Sequence, residues 1–183
     1  MPEYRRFKQP NSCYFFTVVT NNRNSILTAE VSRRCLRDAF QTVRKKYPFT
    51  IDGIVLLPNH IHTLWSLPEG DSNFSIRWNL IKNRFTKLYI KNNPPTEALS
   101  VARSKKREQG VWQRRFWEHL IRNEDDFIKH LDYIHYNPVK HGYVKNPVDW
   151  EWSSFHRYVQ LKWYEQNWGS QEPGDRMDTC AGE

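Results

Sequence analysis

Two histidines one residue apart, His60 and His62, begin a run of strand-like composition that extends to residue 67. In a β-strand, side chains at i and i+2 project from the same face, so both imidazoles point one way while Ile61 points into the opposite side. Such a pair could hold one metal ion between its ring nitrogens. A histidine pair on a strand is also common as ordinary polar surface, so the spacing alone leaves both interpretations open.

A second set of polar side chains lies in the helix that we expect over residues 123–137. Tyr133 and Asn137 are four residues apart and His130 precedes Tyr133 by three, so the three share one helix face, with His130 as a possible accessory residue. About 100° around the helix lies an apolar stripe, formed by Phe127, Leu131 and Ile134. The helix can therefore pack through its stripe and present a phenol and a carboxamide sideways. Taken alone, Tyr133 fits a half-buried packing residue better than a nucleophile.

If this helix covers the histidine face, two imidazoles, one amide oxygen and one phenol come together. Two histidines, one oxygen ligand and open positions suit Mg²⁺ or Mn²⁺, which complete their coordination with phosphate oxygens and water. The ion would polarise a phosphate, and tyrosine, with an ordinary pKa of about 10, could attack phosphorus once activated. The base that accepts its proton is not identified. Tyr136 is a competing nucleophile, but it sits about 60° farther from the apolar stripe, so we expect it to miss the metal.

Composition indicates one domain with a polyanionic partner. The 183 residues are enough for one hydrophobic core, and the formal net charge is +8 with a pI of about 9.5. A basic protein favours polyanions because binding releases their counterions. Aromatic residues make up 15% of the chain, which suits base stacking with single-stranded nucleic acid and equally a large aromatic core.

The three cysteines are odd in number and widely spaced, so they predict neither a disulfide framework nor a thiolate zinc site. No long apolar run could span a membrane, and the N-terminus lacks the apolar segment of a signal peptide. We therefore expect a soluble protein in a reducing cytoplasm.

The first half of the chain alternates strand and helix patterns. An aromatic and β-branched run predicts a strand over 13–20. A helix with apolar residues at helical spacing then runs from a cap at Thr28 to about Tyr47. Two strand-like runs, 49–57 and 60–67, are separated by a proline–asparagine turn pair and predict a hairpin.

The second half continues the alternation. An amphipathic helix is expected over 73–91, and the segment 92–110, with paired prolines and clustered cations, is expected to be a flexible loop. A strand over 111–121 precedes the last helix, which we expect Asn123 to cap and Pro138 to end.

This order predicts an α+β fold, a ferredoxin-like antiparallel sheet (split βαβ) with flanking helices, and it places Tyr133 on the C-terminal helix. We expect a domain over residues 1–158 and a tail over 159–183 whose last dozen residues are disordered. The chain after about His141 looks irregular. It contains four tryptophans that could stack bases or brace the tail, namely Trp150, Trp152, Trp163 and Trp168. We favour bracing because no periodic basic residues accompany them.

Three motifs together resemble a known family. "LLPNHIHTLW", "WQRRFWEHLIRN" and "DYIHYNPVKHGYV" are similar to the single-tyrosine HUH transposases, where HUH denotes histidine, a hydrophobic residue and histidine. Among them the chain looks most like the REP-associated tyrosine transposases, bacterial proteins linked to repetitive extragenic palindromes. The resemblance runs from residues 3–6 to about 155–158 and keeps the three motifs in order, which is far more specific than HxH alone.

The resemblance implies a role for each residue of the constellation. The metal pair falls on His60 and His62, the nucleophile on Tyr133 and the third ligand on Asn137, where mobile relatives carry glutamine. The implied reaction is a metal-assisted cut in single-stranded DNA beside a hairpin, which leaves a 5′-phosphotyrosine and a free 3′-OH. Rejoining reverses it without water or ATP. Mobile relatives act as helix-swapped dimers, whereas this subfamily suggests a monomer.

The resemblance also implies DNA contacts at the N-terminus, where Tyr4, Arg5 and Arg6 would help to read a tetranucleotide beside the REP-like hairpin. Arginine suits bidentate contact with guanine, although an unread basic tail is almost as good an explanation. Phosphates of the hairpin stem could contact a basic cluster, formed by Arg103, Lys105, Lys106 and Arg107. Charge runs in loops are also commonly just solvated.

Two alternatives remain open. In a non-catalytic single-stranded nucleic-acid binding protein, His60, His62 and Tyr133 would not need to converge. In a metal phosphodiesterase, water would attack and Tyr133 would be structural. That reaction needs a general base near the metal, and no carboxylate follows the histidines until Glu69.

Overall fold

The computed structural model describes residues 9–10, 12–93 and 110–170. A four-stranded antiparallel sheet forms the centre, in the order β2-β3-β1-β4. Its strands are β1 (Cys13–Val19), β2 (Thr50–Leu56), β3 (His60–Ser66) and β4 (Trp117–Leu120). Because β3 lies between β1 and β2, these two are parallel but separated, which is the split βαβ arrangement. The predicted α+β class is confirmed.

Four α-helices flank the sheet within the described ranges, and none of them is long and apolar enough to cross a membrane. They are α1 (Glu30–Lys46), α2 (Phe74–Asn92), α3 (Glu124–Lys140) and α4 (Phe155–Gln160). The predicted cap at Thr28 is wrong, because α1 starts two residues later and its cap residue, Ala29, makes no side-chain cap bond. The Asn123 cap of α3 is confirmed, since its side chain accepts a hydrogen bond from the Asp126 amide at 2.9 Å.

The prediction that Pro138 ends α3 is also wrong, because the helix continues to Lys140 with Pro138 buried inside it. The signal that ends the helix is Gly142, which adopts a φ of 69°. Its amide donates to the Val139 carbonyl at 2.8 Å, and the Tyr143 amide donates to the Pro138 carbonyl at 2.9 Å. These are the two bonds of a Schellman motif, which favours glycine because of the positive φ.

Strand β4 is shorter than the predicted strand over 111–121. Trp112 forms only an isolated bridge with Thr20, and the Gln113 amide donates to the Val19 carbonyl at 2.9 Å. The chain therefore crosses the end of β1 first and joins the sheet only at Trp117, after three exposed polar residues, Gln113, Arg114 and Arg115.

The two faces of the sheet hold separate apolar clusters. One face packs against α1 and α2 through residues that include Phe16, Ile61 and Trp65. The other face packs against α3, with Leu131 and Ile134 from the helix in the same cluster as sheet residues. The closest approach is at Gly53 of β2, where an added Cβ would lie 2.7 Å from Leu131 Cδ1.

The segment after α3 is more ordered than its irregular sequence suggests. A 3-10 turn (Pro147–Asp149) and α4 follow one another, and the Leu56 amide of β2 donates to the Trp152 carbonyl at 2.9 Å. Trp150 Nε1 donates to the Leu56 carbonyl at 3.1 Å, and the Arg33 guanidinium lies 5.0 Å from the Trp152 ring centroid. These contacts support the bracing role expected of the tryptophans.

The remaining two tryptophans differ in exposure. Trp168 packs on Phe155 with ring centroids 5.9 Å apart, whereas Trp163 is 59% exposed. Most of the predicted loop over 92–110 and the last dozen residues fall outside the described ranges.

Candidate active site

The two histidines lie at the start of the inner strand β3, on the face that α3 covers. In the register, His60 is opposite Val19 and His62 is opposite Thr17. Their relative exposures are 1% and 0%, and their ring centroids are 4.7 Å apart with the planes almost perpendicular at 83°. The expectation that both rings project together is confirmed, and their burial excludes the interpretation as ordinary polar surface.

Each imidazole is oriented by a hydrogen bond at Nδ1. His60 Nδ1 lies 2.5 Å from Asn59 Oδ1, and His62 Nδ1 lies 2.9 Å from Thr17 Oγ1. An amide oxygen can only accept, so His60 Nδ1 donates, and a neutral ring then carries its lone pair at Nε2. Both Nε2 atoms are buried as well. This is the arrangement in which a neighbouring group fixes the tautomer of a metal-ligating histidine.

Helix α3 meets the histidine pair at two points, two turns apart. The Tyr133 ring lies edge-on to His62 with centroids 5.2 Å apart, and the His141 ring meets His60 at the same distance. Asn137 is midway between Tyr133 and His141 at four-residue spacing, and its side chain is fully buried. It therefore lies on the helix face that contacts the pair, as expected from the sequence.

The donor set fits a divalent cation. Two imidazole nitrogens and one carboxamide oxygen, all buried between helix and sheet, are ligands that Mn²⁺ and Mg²⁺ accept while keeping open positions. The set of His60, His62 and Asn137 is uncharged when the rings are neutral, so it leaves the charge of a divalent ion to attract an anion such as phosphate.

Lys140 joins the site and was missed by the sequence analysis. Its Nζ donates to Tyr133 Oη at 3.4 Å and lies 4.8 Å from the tyrosine ring centroid. The available signal was spacing, because residues seven apart lie two turns along the same helix face. His141 was missed as well, although it continues the four-residue spacing of Tyr133 and Asn137.

His130, predicted as a possible accessory residue, lies in a neighbouring cluster with His119 and Asp126. The Asp126 carboxylate accepts hydrogen bonds from His119 Nε2 at 2.9 Å and from the Arg122 amide at 3.0 Å. Burial would raise the pKa of Asp126, but these bonds outweigh it and hold the pKa below its ordinary value. The cluster therefore ties α3 to β4.

Three potential ligand atoms in this cluster lie within 4.8 Å of one another. However, His130 Nδ1 lies 2.8 Å from the Asp126 backbone carbonyl, which can only accept, so this nitrogen carries a proton and is not a metal ligand. Burial also lowers the pKa of His130. The ring of Phe15 contacts both His130, at 4.9 Å, and His62, at 5.5 Å. His130 thus adjoins the site through Phe15, and its accessory role stays a prediction.

The competing tyrosine points elsewhere. The Tyr136 ring packs against Trp168 with centroids 6.5 Å apart, on the side of α3 that meets the C-terminal segment. This agrees with the expectation that Tyr136 misses the histidine pair. The predicted DNA-binding residues all lie outside the described residues, namely Tyr4, Arg5, Arg6, Arg103, Lys105, Lys106 and Arg107.

Comparisons with known proteins agree on one family. A family model described as "Transposase IS200 like" matches residues 8–137. A putative REP-associated tyrosine transposase of Haemophilus influenzae is 46% identical over 92% of this chain and 94% of its own length. The REP-associated tyrosine transposase of Escherichia coli K12 is 42% identical over 100% of this chain and 98% of its own. A solved structure of a REP-associated tyrosine transposase bound to a REP hairpin has a TM-score of 0.79 at 41% identity, covering 100% of this chain and 98% of that one.

Proposed function

Because this chain belongs to the IS200-like transposases and, among them, to the REP-associated tyrosine transposases, we propose that it cuts and rejoins single-stranded DNA through Tyr133. The observation that carries the proposal is the placement of the Tyr133 ring 5.2 Å from His62, within a single chain. The nucleophile and the metal-ligating pair are thereby assembled without any rearrangement of helix α3.

In the proposed cleavage step, Tyr133 Oη attacks the scissile phosphorus and the bond from phosphorus to the 3′-oxygen breaks. The phenolic proton passes to a base, the departing 3′-oxygen is protonated, and the products are a 5′-phosphotyrosine and a free 3′-OH. Rejoining is the reverse attack by a 3′-OH, which returns the tyrosine. One phosphodiester is exchanged for another, so neither water nor ATP is consumed.

His60, His62 and Asn137 would hold Mg²⁺ or Mn²⁺, and the bound ion would supply Lewis-acid polarisation of the phosphate. Hydrogen bonds with Thr17 and Asn59 fix the orientation of the His62 and His60 imidazoles, respectively. Asn137 follows Tyr133 by one helical turn, so a single rigid helix sets the position of both a ligand and the nucleophile. Such fixed geometry is how an enzyme keeps reacting atoms aligned.

We propose a DNA hairpin of the REP type with an adjacent tetranucleotide as the substrate, handled by a monomer in the bacterial cytoplasm. The matched solved structure holds a REP hairpin, and the contact between Tyr133 and His62 within one chain supports a monomer. A cleft lined by Lys82, Lys87 and Arg114 offers cations for backbone phosphates.

The two alternatives have less support. A decayed binding protein has no need to keep His60, His62 and Tyr133 together in a buried site. A hydrolase needs a base near the histidines, but Glu69 is exposed in the turn after β3, at the opposite end of that strand from His60.

The test uses the full chain, Mn²⁺ or Mg²⁺ and a labelled single strand that carries a hairpin. We expect an adduct that survives denaturing electrophoresis and that Tyr133→Phe abolishes. Tyr136→Phe is the matched control, because it removes the same atom from a tyrosine three residues away that packs against Trp168 instead of the histidine pair, and it should keep the adduct. Normal cleavage by Tyr133→Phe would overturn the tyrosine mechanism in favour of the hydrolase, and an adduct that maps to Tyr136 would overturn the assignment.

A further inference from the structure

Lys140 occupies a distinctive position in the last turn of α3. The Tyr133 side chain is buried, with 2% of its surface exposed, whereas Lys140 is exposed to solvent. The lysine side chain therefore reaches back along the helix from solvent, and its ammonium group lies at the phenol. This places a cation at the oxygen atom that the proposed reaction uses as nucleophile.

The contact involves both the oxygen and the ring. Nζ lies 3.4 Å from Tyr133 Oη and 4.8 Å from the ring centroid. An ammonium group is an obligate donor, so it stabilises an oxygen more strongly as that oxygen gains negative charge. The effect is larger beside a buried ring than in water, because the local dielectric is lower.

Other titratable groups approach Tyr133 from the elements packed against it. His62 of β3 contacts its ring, and Tyr158 of α4 belongs to the same apolar cluster. His130, one turn earlier on α3, contacts Phe15, which also touches Tyr133. None of these three carries a permanent positive charge, and the divalent ion proposed at His60 and His62 would be a separate cation near the ring. Lys140 is the residue whose cation donates to the phenol oxygen itself.

We propose that Lys140 is a catalytic residue that stabilises the tyrosinate form of Tyr133, as nucleophile in cleavage and as leaving group in rejoining. This inference rests on the proposed function. Because the same oxygen bears the charge in both directions, the loss of Lys140 slows cleavage and rejoining together. A residue that only held the DNA would affect binding instead.

The first measurement is hairpin binding in a mobility-shift assay with the metal ion present. Lys140→Met keeps the length of the side chain and removes the charge, and it should bind the hairpin about as tightly as the unsubstituted protein. A loss of binding in Lys140→Met that Lys140→Arg restores would assign Lys140 to the DNA backbone and overturn the proposal.

The second measurement is single-turnover cleavage and rejoining at saturating hairpin DNA and saturating metal ion. Lys140→Met should slow both steps by about a hundredfold to a thousandfold, because the developing charge on the phenol oxygen loses a donor. Lys140→Arg should recover most of the rate. An unchanged rate at saturating DNA with weaker binding would assign Lys140 to the DNA backbone and overturn the proposal.

The two failures are distinguishable. If Tyr133→Phe still forms the adduct, the proposed function fails, whatever Lys140→Met shows. If Tyr133→Phe abolishes the adduct and Lys140→Met leaves both rates unchanged, the proposed function stands and the role of Lys140 fails.

Discussion

Replacement of Gly53 by alanine should displace Tyr133, the proposed nucleophile, without making any contact with it. Gly53 lies in β2 beneath α3, and an alanine Cβ there would be 2.7 Å from Leu131 Cδ1 and 3.3 Å from Ile134 Cδ1. Carbon atoms in contact normally lie about 3.5–4.0 Å apart, so the shortfall at Leu131 is ~1 Å. Leu131 and Ile134 are buried and flank Tyr133 along the helix, so we expect α3 to rise from the sheet.

The losses of stability and of reaction rate can be estimated from that displacement. Overpacking of a buried site costs about 1–3 kcal/mol, and alanine recovers about 0.5–1 kcal/mol relative to glycine in a strand. We therefore expect the free energy of unfolding to fall by roughly 1 kcal/mol, within a range of about 0–2.5 kcal/mol. A shift of ~1 Å between reacting groups costs about a hundredfold in rate, so the rate of adduct formation should fall far more than the stability does.

Urea unfolding, hairpin binding and single-turnover adduct formation would be measured side by side. The matched control is Gly53→Ala combined with Leu131→Val, because valine lacks the δ-carbon that clashes, and this double variant should regain much of the lost rate. A Gly53→Ala protein that loses stability but forms the adduct at the unsubstituted rate would show that side-chain rearrangement relieves the clash. The close approach at Gly53 would then have no control over the position of Tyr133.

Two further predictions concern the metal and pH. His60→Ala and His62→Ala should each bind the hairpin in a mobility-shift assay without cutting it, as should the unsubstituted protein with a chelator, and loss of binding in both variants would indicate a structural role instead. Burial lowers the pKa of His135 from 6.5 to about 3, so the unfolded chain takes up a proton below pH 6.5 that the folded chain refuses, and stability falls with pH across this window. By about pH 5 this effect should lower the free energy of unfolding by about 2 kcal/mol. His135 Nε2 lies 2.9 Å from Ser154 Oγ, and a glutamine amide can also bond this hydroxyl. In urea unfolding, His135→Gln should therefore lose about 2 kcal/mol less stability than the unsubstituted protein when the pH is lowered to about 5.

The parts of the site that could be predicted from sequence depend on periodicity. The common direction of His60 and His62 follows from the two-residue repeat of a strand, and the shared face of Tyr133 and Asn137 follows from the four-residue spacing of a helix. Both are local regularities that tertiary packing did not disturb. The apolar stripe of α3 then indicated which way the helix faces the sheet.

Other features depend on contacts that local patterns do not encode. Pro138 usually ends a helix, but Gly142 offers a better terminus four residues later and the proline ring is buried. Lys140 looked like an ordinary cation in a last helical turn, where lysine complements the helix dipole. Its contact with Tyr133 emerges only because the helix keeps its geometry through the proline.

Pro138 removes one backbone hydrogen bond from within helix α3. Proline has no amide hydrogen, so the Ile134 carbonyl loses the donor that position 138 would supply, and the ladder has a gap between the turn of Tyr133 and the turn of Lys140 and His141. Tyr133 is held by ring packing on one side of the gap, whereas Lys140 is held by the bonds at Gly142 on the other. The last turn therefore has one backbone hydrogen bond fewer connecting it to the turn of Tyr133, and we expect amide hydrogen exchange to be faster at Lys140 and His141 than around Tyr133.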